Sequence, residues 1–404
     1  MSTARQSLPR PASRGFTLVE LLVVMGILSG FLVMLVQLVD SGLSMFREGE
    51  LGQALADRAA RAQRVIGDEL QLLRGSAAGR DRDVVDDRLV VQRLPLGLPL
   101  RADKNAARGP VLRAAVQLAP DRELALVDVA LTARVLAATP RLDDAALGKR
   151  VAELRAFEPL RGLGNLVLLP WRQEGSDESL LELRAGWFLP GQLIPIGEDR
   201  FVDPFSVPVP GSAELPGLAL HAVTLPVLRD LLHFELLLWS QRTRTWQPTA
   251  DGAGEGPWSV WDSARGGWLV DEASGGVFPL DRGPASAADP RDDVQPHAIL
   301  VRCVVAQPGE SAPEGLLDES VDAEQTSLLL YDGERFPGRA EGGWVKLRNE
   351  WIAYAQRDGN RLVGLRRGQR GTAAQDHPSG LRVHVGRTVE FVVPVVHAKD
   401  DWNG

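Results

Sequence analysis

The chain has 404 residues, a formal net charge of −8, 44% apolar and 24% charged residues, and one cysteine, Cys303. This length exceeds one ordinary domain, and the composition is that of a globular protein, which excludes a disordered or fibrous chain. An acidic chain is a poor general binder of nucleic acid, so we expect no nucleic-acid partner. A single cysteine excludes an intrachain disulfide, and packing alone must hold the soluble part together.

The first predicted element is an apolar run at residues 16–39, behind a leader that carries three arginines. Its 24 residues, as a helix rising about 1.5 Å per residue, can cross a hydrocarbon core of about 30 Å. Glu20 is the exception, because a lone carboxylate in a lipid-facing helix costs at least about 2.5 kcal/mol unless a second group pairs with it. Gly26 and Gly30 add a small-xxx-small spacing that suits close helix contact.

The sequence GFTLVE at residues 15–20, with its basic leader and apolar tail, resembles the class III signal of type IV pilins and type II secretion pseudopilins. The resemblance implies that a prepilin peptidase cuts between Gly15 and Phe16 and methylates the new amino terminus. It also implies that Glu20 meets the terminal amine of a neighbouring subunit, which gives the buried charge its partner. The implied partners are the membrane, the prepilin peptidase, and other minor and major pilins or pseudopilins.

Two other interpretations of the amino terminus compete with this one. A secretory signal peptide has a shorter apolar region, about 7–15 residues, and a small-residue cleavage site at its far end, which this run lacks. A plain signal anchor explains the length and the leader charge, but gives no reason for Glu20 or for the Gly-Phe-Thr boundary.

The leader arginines also predict the orientation of the chain. By the positive-inside rule they favour a cytoplasmic amino terminus, a single inner-membrane span and a periplasmic head, which enters a pilus or pseudopilus on assembly. Removal of residues 1–15, which hold three arginines and no acids, takes the net charge from −8 to −11.

Residues 40–74 are predicted to continue the helix in water and to end near Arg74 and Gly75. Apolar residues recur there at steps of three and four, which indicates one buried face. These are Leu51, Leu55, Ala59, Ala62, Ile66, Leu70 and Leu73.

Residues 75–226 are predicted to be a mixed α/β region of the head. Short strands are expected at 88–94, 114–118, 166–171 and 180–188, a turn at 175–177, a helix at 143–157 and a proline-rich loop at 204–216. The run at 124–136 has no clean period and fits either a strand or a helix.

Residues 227–312 are predicted to hold the pilin-type sheet, with strands at 233–239 and 298–305. The order HFELLLWS, PWSVWD and VQPHAILVRCVV resembles that in J-type minor pseudopilins and W-type minor pilins. Five tryptophans lie near the intervening loop, and packing is a better interpretation of them than a binding platform. They are Trp239, Trp246, Trp258, Trp261 and Trp268.

Residues 313–404 are predicted to be a C-terminal β module and a final strand, after a Gly, Pro and acid-rich link at 310–319. Strands are expected at 326–331, 344–347, 351–356 and 361–367, with a hairpin turn at 358–360. The stretch NEWIAYA to HPSG resembles a small β module of phage tail proteins and some secreted surface proteins. The last strand, 388–396, either closes a terminal domain or returns to the pilin sheet and makes the module an insertion.

No pattern of catalytic or metal-binding residues appears, so we expect no enzyme, no cofactor and no metal site. The chain lacks a G-x-S-x-G elbow, a phosphate loop and an H-E-x-x-H helix, and one cysteine cannot form a thiolate cage. Acids at 81–87 lack calcium-loop spacing. The basic hairpin, formed by Arg357, Arg361, Arg366, Arg367 and Arg370, either grips an anionic polymer or is a solvated hairpin balanced by acids, and we prefer the second.

The predicted fold class is therefore α+β. A long N-terminal helix, half of it transmembrane, packs on an antiparallel sheet in the pilin-like manner, and a small all-β module follows. The predicted function is that of a minor pilin or pseudopilin, a structural subunit in the assembly or tip of a type IV pilus or secretion pseudopilus. The alternative is an adhesin or binding module that the filament displays, with a surface ligand for the C-terminal β domain.

We predict that the mature protein begins at Phe16, because the cleavage boundary lies where the basic leader meets the apolar helix. Mass spectrometry of the protein purified from its own membrane should find a methylated Phe16 terminus. An intact Met1, or a cut after residue 40, would contradict the prediction.

Overall fold

The computed structural model describes residues 18–73, 89–95, 108–160, 162–173, 178–189, 192, 194–195, 201–202, 220–240, 244–247, 258–263, 267–270, 277–279, 295–306, 315–333, 336, 342–370 and 372–395. It contains two compact units, Met1–Ala54 and Leu55–Gly404. Several predictions lie outside the described residues: the cleavage site at Gly15 and Phe16, the acids at 81–87, the turn at 175–177, the loop at 204–216 and the first half of the link at 310–319.

The helices and strands of the head follow in chain order. They are α1 (Leu18–Leu70), β1 (Leu89–Pro95), β2 (Arg108–Gln117), α2 (Pro120–Ala138), α3 (Asp144–Arg155), β3 (Leu163–Arg172), β4 (Leu181–Phe188), β5 (Ile194–Pro195), β6 (Phe201–Val202), β7 (Leu225–Ser240), β8 (Thr245–Gln247), β9 (Trp258–Asp262), β10 (Gly267–Val270), β11 (Val277–Pro279) and β12 (Ala298–Ala306).

The C-terminal part adds nine more strands. They are β13 (Gly315–Leu316), β14 (Ser327–Leu329), β15 (Gly343–Leu347), β16 (Glu350–Tyr354), β17 (Gln356–Asp358), β18 (Arg361–Val363), β19 (Arg366–Gln369), β20 (Arg382–Val383) and β21 (Gly386–Pro394). The predicted strand at 351–356 is thus two strands, and so is the one at 361–367.

The helix α1 is continuous over 53 residues. Within the head unit its Ala62, Ile66 and Leu70 are fully buried, as the spacing of four predicts. The helix ends at Leu70 and not at residues 74–75, because the chain turns there and Leu73 forms a β-bridge with Val116 of β2.

The run at 124–136, which the sequence left open, is the helix α2. A proline in its first turn, followed by acidic residues, suits a helix amino terminus. Val127, Leu131 and Val135 form its buried face and pack with Val151 of α3. The side chain of Asp143 caps α3, since its Oδ1 accepts the N–H of Ala146 at 2.8 Å.

One antiparallel sheet contains strands from both of the regions that were predicted to meet at residue 226. Its order is β11-β10-β9-β1-β2-β3-β4-β7-β12-β21, and β8 pairs with β7. The strands of residues 75–226 therefore lie in the same sheet as β7 and β12.

The main core lies between α1 and one face of this sheet. Alternate residues of β7 and β12 point into it, among them Phe234, Leu236, Val301 and Cys303. A second cluster lies elsewhere on the sheet and includes Val167, Leu169 and Trp171.

Three of the five tryptophans pack, as predicted. Trp261 on β9 is 1% exposed and belongs to the main core. Trp239 and Trp246 meet edge to face at 5.1 Å. The side chains of Trp258 and Trp268 lie outside the described part of the chain.

The C-terminal β module, residues 315–385, has its own core. That core contains Leu317, Val321, Leu328, Leu330, Phe336, Val345, Leu347, Ile352, Tyr354, Leu362 and Val383. None of the module's described residues belongs to the main core between α1 and the sheet.

The strand β21 returns to the main sheet, which makes the module an insertion between β12 and β21. Nine residue pairs join the two strands, from Ala298 with Pro394 to Ala306 with Gly386. Glycine is required at 386, because a Cβ there would lie 2.5 Å from Cγ1 of Val304 and 2.7 Å from the carbonyl oxygen of Val305.

The module is also tied to the head by a buried lysine and a tryptophan. Nζ of Lys346 donates to the carbonyl oxygens of Ser179, at 2.7 Å, and Leu232. Trp351 packs in one cluster with Leu232 and Val304 of the head. These contacts explain why the head unit, Leu55–Gly404, includes the module.

We predict that a two-residue Asn-Gly turn can replace residues 307–385 without loss of the head fold, because Ala306 and Gly386 are direct neighbours in the ladder. The excised chain should unfold cooperatively but with about 3 kcal/mol less stability, since Leu232 and Val304 lose the cover of Trp351. Urea unfolding in detergent, followed by circular dichroism, measures this.

A matched chain with the same excision plus Leu232→Thr and Val304→Thr controls for the newly exposed apolar surface. Non-cooperative unfolding of both excised chains would show that the head needs the module in order to fold.

Candidate functional site

The first half of α1 exposes apolar side chains on every side. The segment Leu21–Leu43 has a mean hydropathy of 2.6, and none of it is buried within the described structure. Its largest exposed side chains include Ile27, Phe31, Met34, Val36 and Leu38. An apolar surface this wide is unfavourable in water, so a bilayer or neighbouring helices must cover it.

One polar side chain of this segment, that of Ser29, is satisfied within the helix. Oγ of Ser29 donates to the carbonyl oxygen of Met25 at 2.7 Å, which suits a helix in lipid. Gly26 and Gly30 lie one turn apart, and a Cβ at either would meet nothing within 4 Å. A neighbouring helix can therefore approach closely at these two positions.

The predicted site residues lie at the start of this helix. Glu20 lies near the amino end of the described helix, Leu18–Leu70, whereas Gly15 and Phe16 lie outside the described residues. Residues 10–36 match the family model described as the prokaryotic N-terminal methylation motif. The matched range contains all three residues.

The chain carries a prepilin-type motif. This motif supports a type IV pilin-like or pseudopilin-like protein and implies processing by a prepilin peptidase and association with the membrane and with pilins. Together with the one apolar helix it is consistent with a single-pass inner-membrane protein. No curated protein and no solved structure matches the chain.

The head contains a buried carboxylate, Glu235 on β7, at the centre of a charge cluster. Oε2 of Glu235 lies 2.9 Å from Nη1 of Arg302 on β12, and Oε1 lies 3.8 Å from Nη2 of Arg93 on β1. Burial alone would raise the pKa of Glu235, but His233, Arg302 and Arg93 outweigh it and lower the pKa to about 2. Burial lowers the pKa of His233 to about 4, so its imidazole is neutral at neutral pH.

A second buried carboxylate, Glu350 on β16, organises the C-terminal β module. Its side chain is fully buried and is held by groups from β19 and the following loop. Its oxygens accept from Nε and Nη2 of Arg367 at 2.7 and 2.9 Å, the N–H of Gly368 at 3.0 Å, the N–H of Gln375 at 3.1 Å and Nε2 of His377 at 2.8 Å.

These partners keep Glu350 ionised. Burial alone would raise its pKa, but the hydrogen bonds from His377, Arg367 and Gly368 prevail and lower it to about 2. Five hydrogen bonds to its two oxygens therefore link β16 to β19 and to the loop that follows β19. The sequence pattern did not predict this cluster, although a glutamate beside the apolar residues Trp351 and Ile352 is a signal of a buried charge that needs partners.

The basic hairpin does not form one patch. Arg367 is in the buried cluster, Arg361 lies 3.5 Å from Glu319, and Arg357 donates to backbone carbonyls of Gly333 and Gly359. The expected balance by acids holds for Arg361 and for Arg367, although Arg367 is buried and not solvated, whereas backbone carbonyls hold Arg357. Arg366 and Arg370 instead line a cleft of about 500 Å³.

Two further side chains that could carry chemistry, those of Cys303 and His384, are buried. Burial raises the pKa of Cys303 to about 12, so its thiol stays protonated and unreactive. His384 is buried, and its backbone is paired with that of Lys346. Within the described ranges, no three His, Cys, Asp or Glu side chains are grouped so as to hold a metal ion.

We predict that Glu350→Gln lowers the free energy of unfolding by about 3 kcal/mol or more at pH 7, because it leaves Arg367 buried without its counter-charge. The pKa of Glu350 is below its usual 4.5 in the folded state, so its contribution is present above about pH 4.5 and is lost as the pH falls toward 2. The gap between wild type and variant should therefore shrink with falling pH.

Urea unfolding followed by tryptophan fluorescence at pH 7 and pH 3 measures this gap. Glu390→Gln is the matched control, since Glu390 pairs with Arg302 but is 45% exposed, and its loss should cost about 1 kcal/mol or less. Equal effects of the two variants would disprove the structural role of Glu350.

Proposed function

We propose that this chain is a minor pilin or pseudopilin, a structural subunit that takes part in the assembly or tip of a type IV pilus or a type II secretion pseudopilus. The observation that carries the proposal is the prepilin-type motif at residues 10–36, at the start of one continuous helix. That helix exposes apolar residues over Leu21–Leu43 and then buries one face in the head core.

The size of the head supports a minor subunit. The head unit, Leu55–Gly404, has 350 residues, which would crowd the close packing of a major-subunit filament. A subunit at the tip has room for it. Its partners in this proposal are other minor and major subunits, which the apolar helix meets inside the filament.

The proposed location follows from charge. The leader arginines favour a cytoplasmic amino terminus and therefore a periplasmic head. In this proposal the head acts by binding and assembly and not by catalysis, which fits the saturated contacts of Glu350 and the protonated thiol of Cys303.

A second candidate function is display of the C-terminal β module to a surface ligand. The observation that favours it is that the module has its own core and is inserted at a hairpin of the sheet. The chain with residues 307–385 replaced by a turn separates the two functions. Filaments that assemble but no longer attach favour display, and lost assembly favours a structural role.

We predict that Glu20→Ala leaves membrane insertion intact or improves it, because the charge is what opposes insertion. Incorporation into filaments should fall at least tenfold, because Glu20 no longer pairs with the amine of a neighbouring subunit. Immunoblots of membranes and of sheared filaments measure the two effects separately.

Asp40→Asn is the matched control, since it also removes one carboxylate from α1, but at the far end of the apolar segment. Recovery of Glu20→Ala protein in sheared filaments at the wild-type level would refute the pairing role of Glu20.

A further inference from the structure

Two neighbouring segments of the C-terminal β module, β15 and the residues after β20, pair at Lys346 and His384 and then diverge. We call the space between the diverging segments the fork. The N–H of each residue donates to the carbonyl oxygen of the other at 2.9 Å, so β15 and the chain after β20 begin an antiparallel ladder. Continued in register, the ladder would pair Trp344 with Gly386. Gly386 instead pairs with Ala306 of β12, and the two strands separate.

The separation leaves one edge of β15 open to the fork. Backbone groups of an antiparallel strand alternate in direction, and those of Lys346 point to His384 and away from β16. The N–H and C=O of Trp344, two residues earlier, therefore also point away from β16 and into the fork. Among the described residues, no backbone hydrogen bond is recorded for them on this side.

The fork encloses the cleft of about 500 Å³, which is within the usual range for ligand sites. One wall is formed by Gly342, Gly343 and Trp344 of the β15 side, and another by β21 from Gly386 to Thr388. Three arginines line it, Arg366, Arg370 and Arg387, and none of the described lining residues is acidic. No ion pair joins these arginines to a described residue.

Arg370 is placed to receive an anion. Its guanidinium carbon lies 4.6 Å from the ring centroid of Trp344 and 4.4 Å from that of Trp351, which holds the group in place. Its Nη1 is buried without a hydrogen-bond partner among the described residues. The nearby carboxylates of Glu235 and Glu390 are both already bound by Arg302.

The electrostatics agree with this geometry. Burial, and then the charge of Arg302, lower the pKa of Arg370 to about 10, so the group is charged at neutral pH in an environment that opposes its charge. The charges of Glu235 and Glu390 act in the opposite direction without outweighing these two effects, so a carboxylate from a ligand would supply the missing acceptor and stabilise the charge further.

We propose that this cleft binds an extended acidic segment of another protein subunit, which adds a strand to the open edge of β15 and places carboxylates on Arg366, Arg370 and Arg387. The strand edge favours a polypeptide over an acidic saccharide, because its alternating N–H and C=O groups match a second backbone. The inference rests on the head alone and is independent of the filament in which the chain acts.

The test uses the full chain in detergent micelles and fluorescence anisotropy of a labelled octapeptide that alternates glutamate and valine. The peptide should bind, and N-methylation of alternate residues on one edge, or glutamine in place of glutamate, should weaken binding at least tenfold. Hydrogen exchange should slow at Trp344 when the unmodified peptide is bound.

Two substitutions and one matched control locate the site. Arg370→Met keeps the apolar stem between the tryptophans, and Arg387→Gln changes an exposed wall residue; each should weaken peptide binding about tenfold or more. Arg361→Gln removes one arginine of the same module outside the cleft and should leave binding unchanged. Melting temperatures of the three variants show whether each remains folded.

Three results would overturn the proposal. The first is peptide binding that Arg370→Met and Arg387→Gln both leave unchanged. The second is equal binding of the N-methylated peptide together with tighter binding of an oligomer of glucuronic acid, which would assign the cleft to a saccharide. The third is no peptide binding, with self-association of the chain that Arg387→Gln abolishes, which would make the occupant a second copy.

Discussion

The structure depends on one continuous helix that must be stable in two different solvents. Over Leu21–Leu43 no side chain is buried within the described structure, and the chain is helical throughout, which pairs backbone groups within the segment as a lipid environment requires. From Leu55 onward the apolar residues lie on one face of the helix only. On that face Ala62, Ile66 and Leu70 pack in the core against the sheet. The same element therefore supplies the membrane segment and a central part of the head core.

The head reaches its stability without a disulfide, since Cys303 is the only cysteine. Two buried carboxylates connect separate strands and loops of the head, as disulfides do in many exported proteins. Glu235 draws residues of β1, β7 and β12 together, and Glu350 joins β16 to β19 and to the loop that ends at His377. Each has its pKa lowered to about 2 because several donors offset its desolvation, so both carboxylates stay ionised well below neutral pH.

The sequence predicted those helices and strands whose apolar pattern lies within the element itself. The helix α1, the helix α3 and the strands at β1, β4, β7 and β12 follow from apolar periodicity and from turn residues. The run that became α2 had no period, and what decided it was the packing of Val127 and Leu131 against α3. The sequence also placed Arg367 in a solvated basic hairpin, because its partner Glu350 lies 17 residues away in sequence and on another strand.

By itself, the sequence determined the membrane helix, the prepilin-type motif and the position of Glu20, because each rests on neighbouring residues and on the composition of one segment. Only the tertiary structure decided that β21 leaves the C-terminal β module and pairs with β12, since a strand's own residues do not state which edge it will join. The tertiary structure also decided which arginines form ion pairs and which line a cleft, because charged residues on different strands can pair only when the sheet places them side by side.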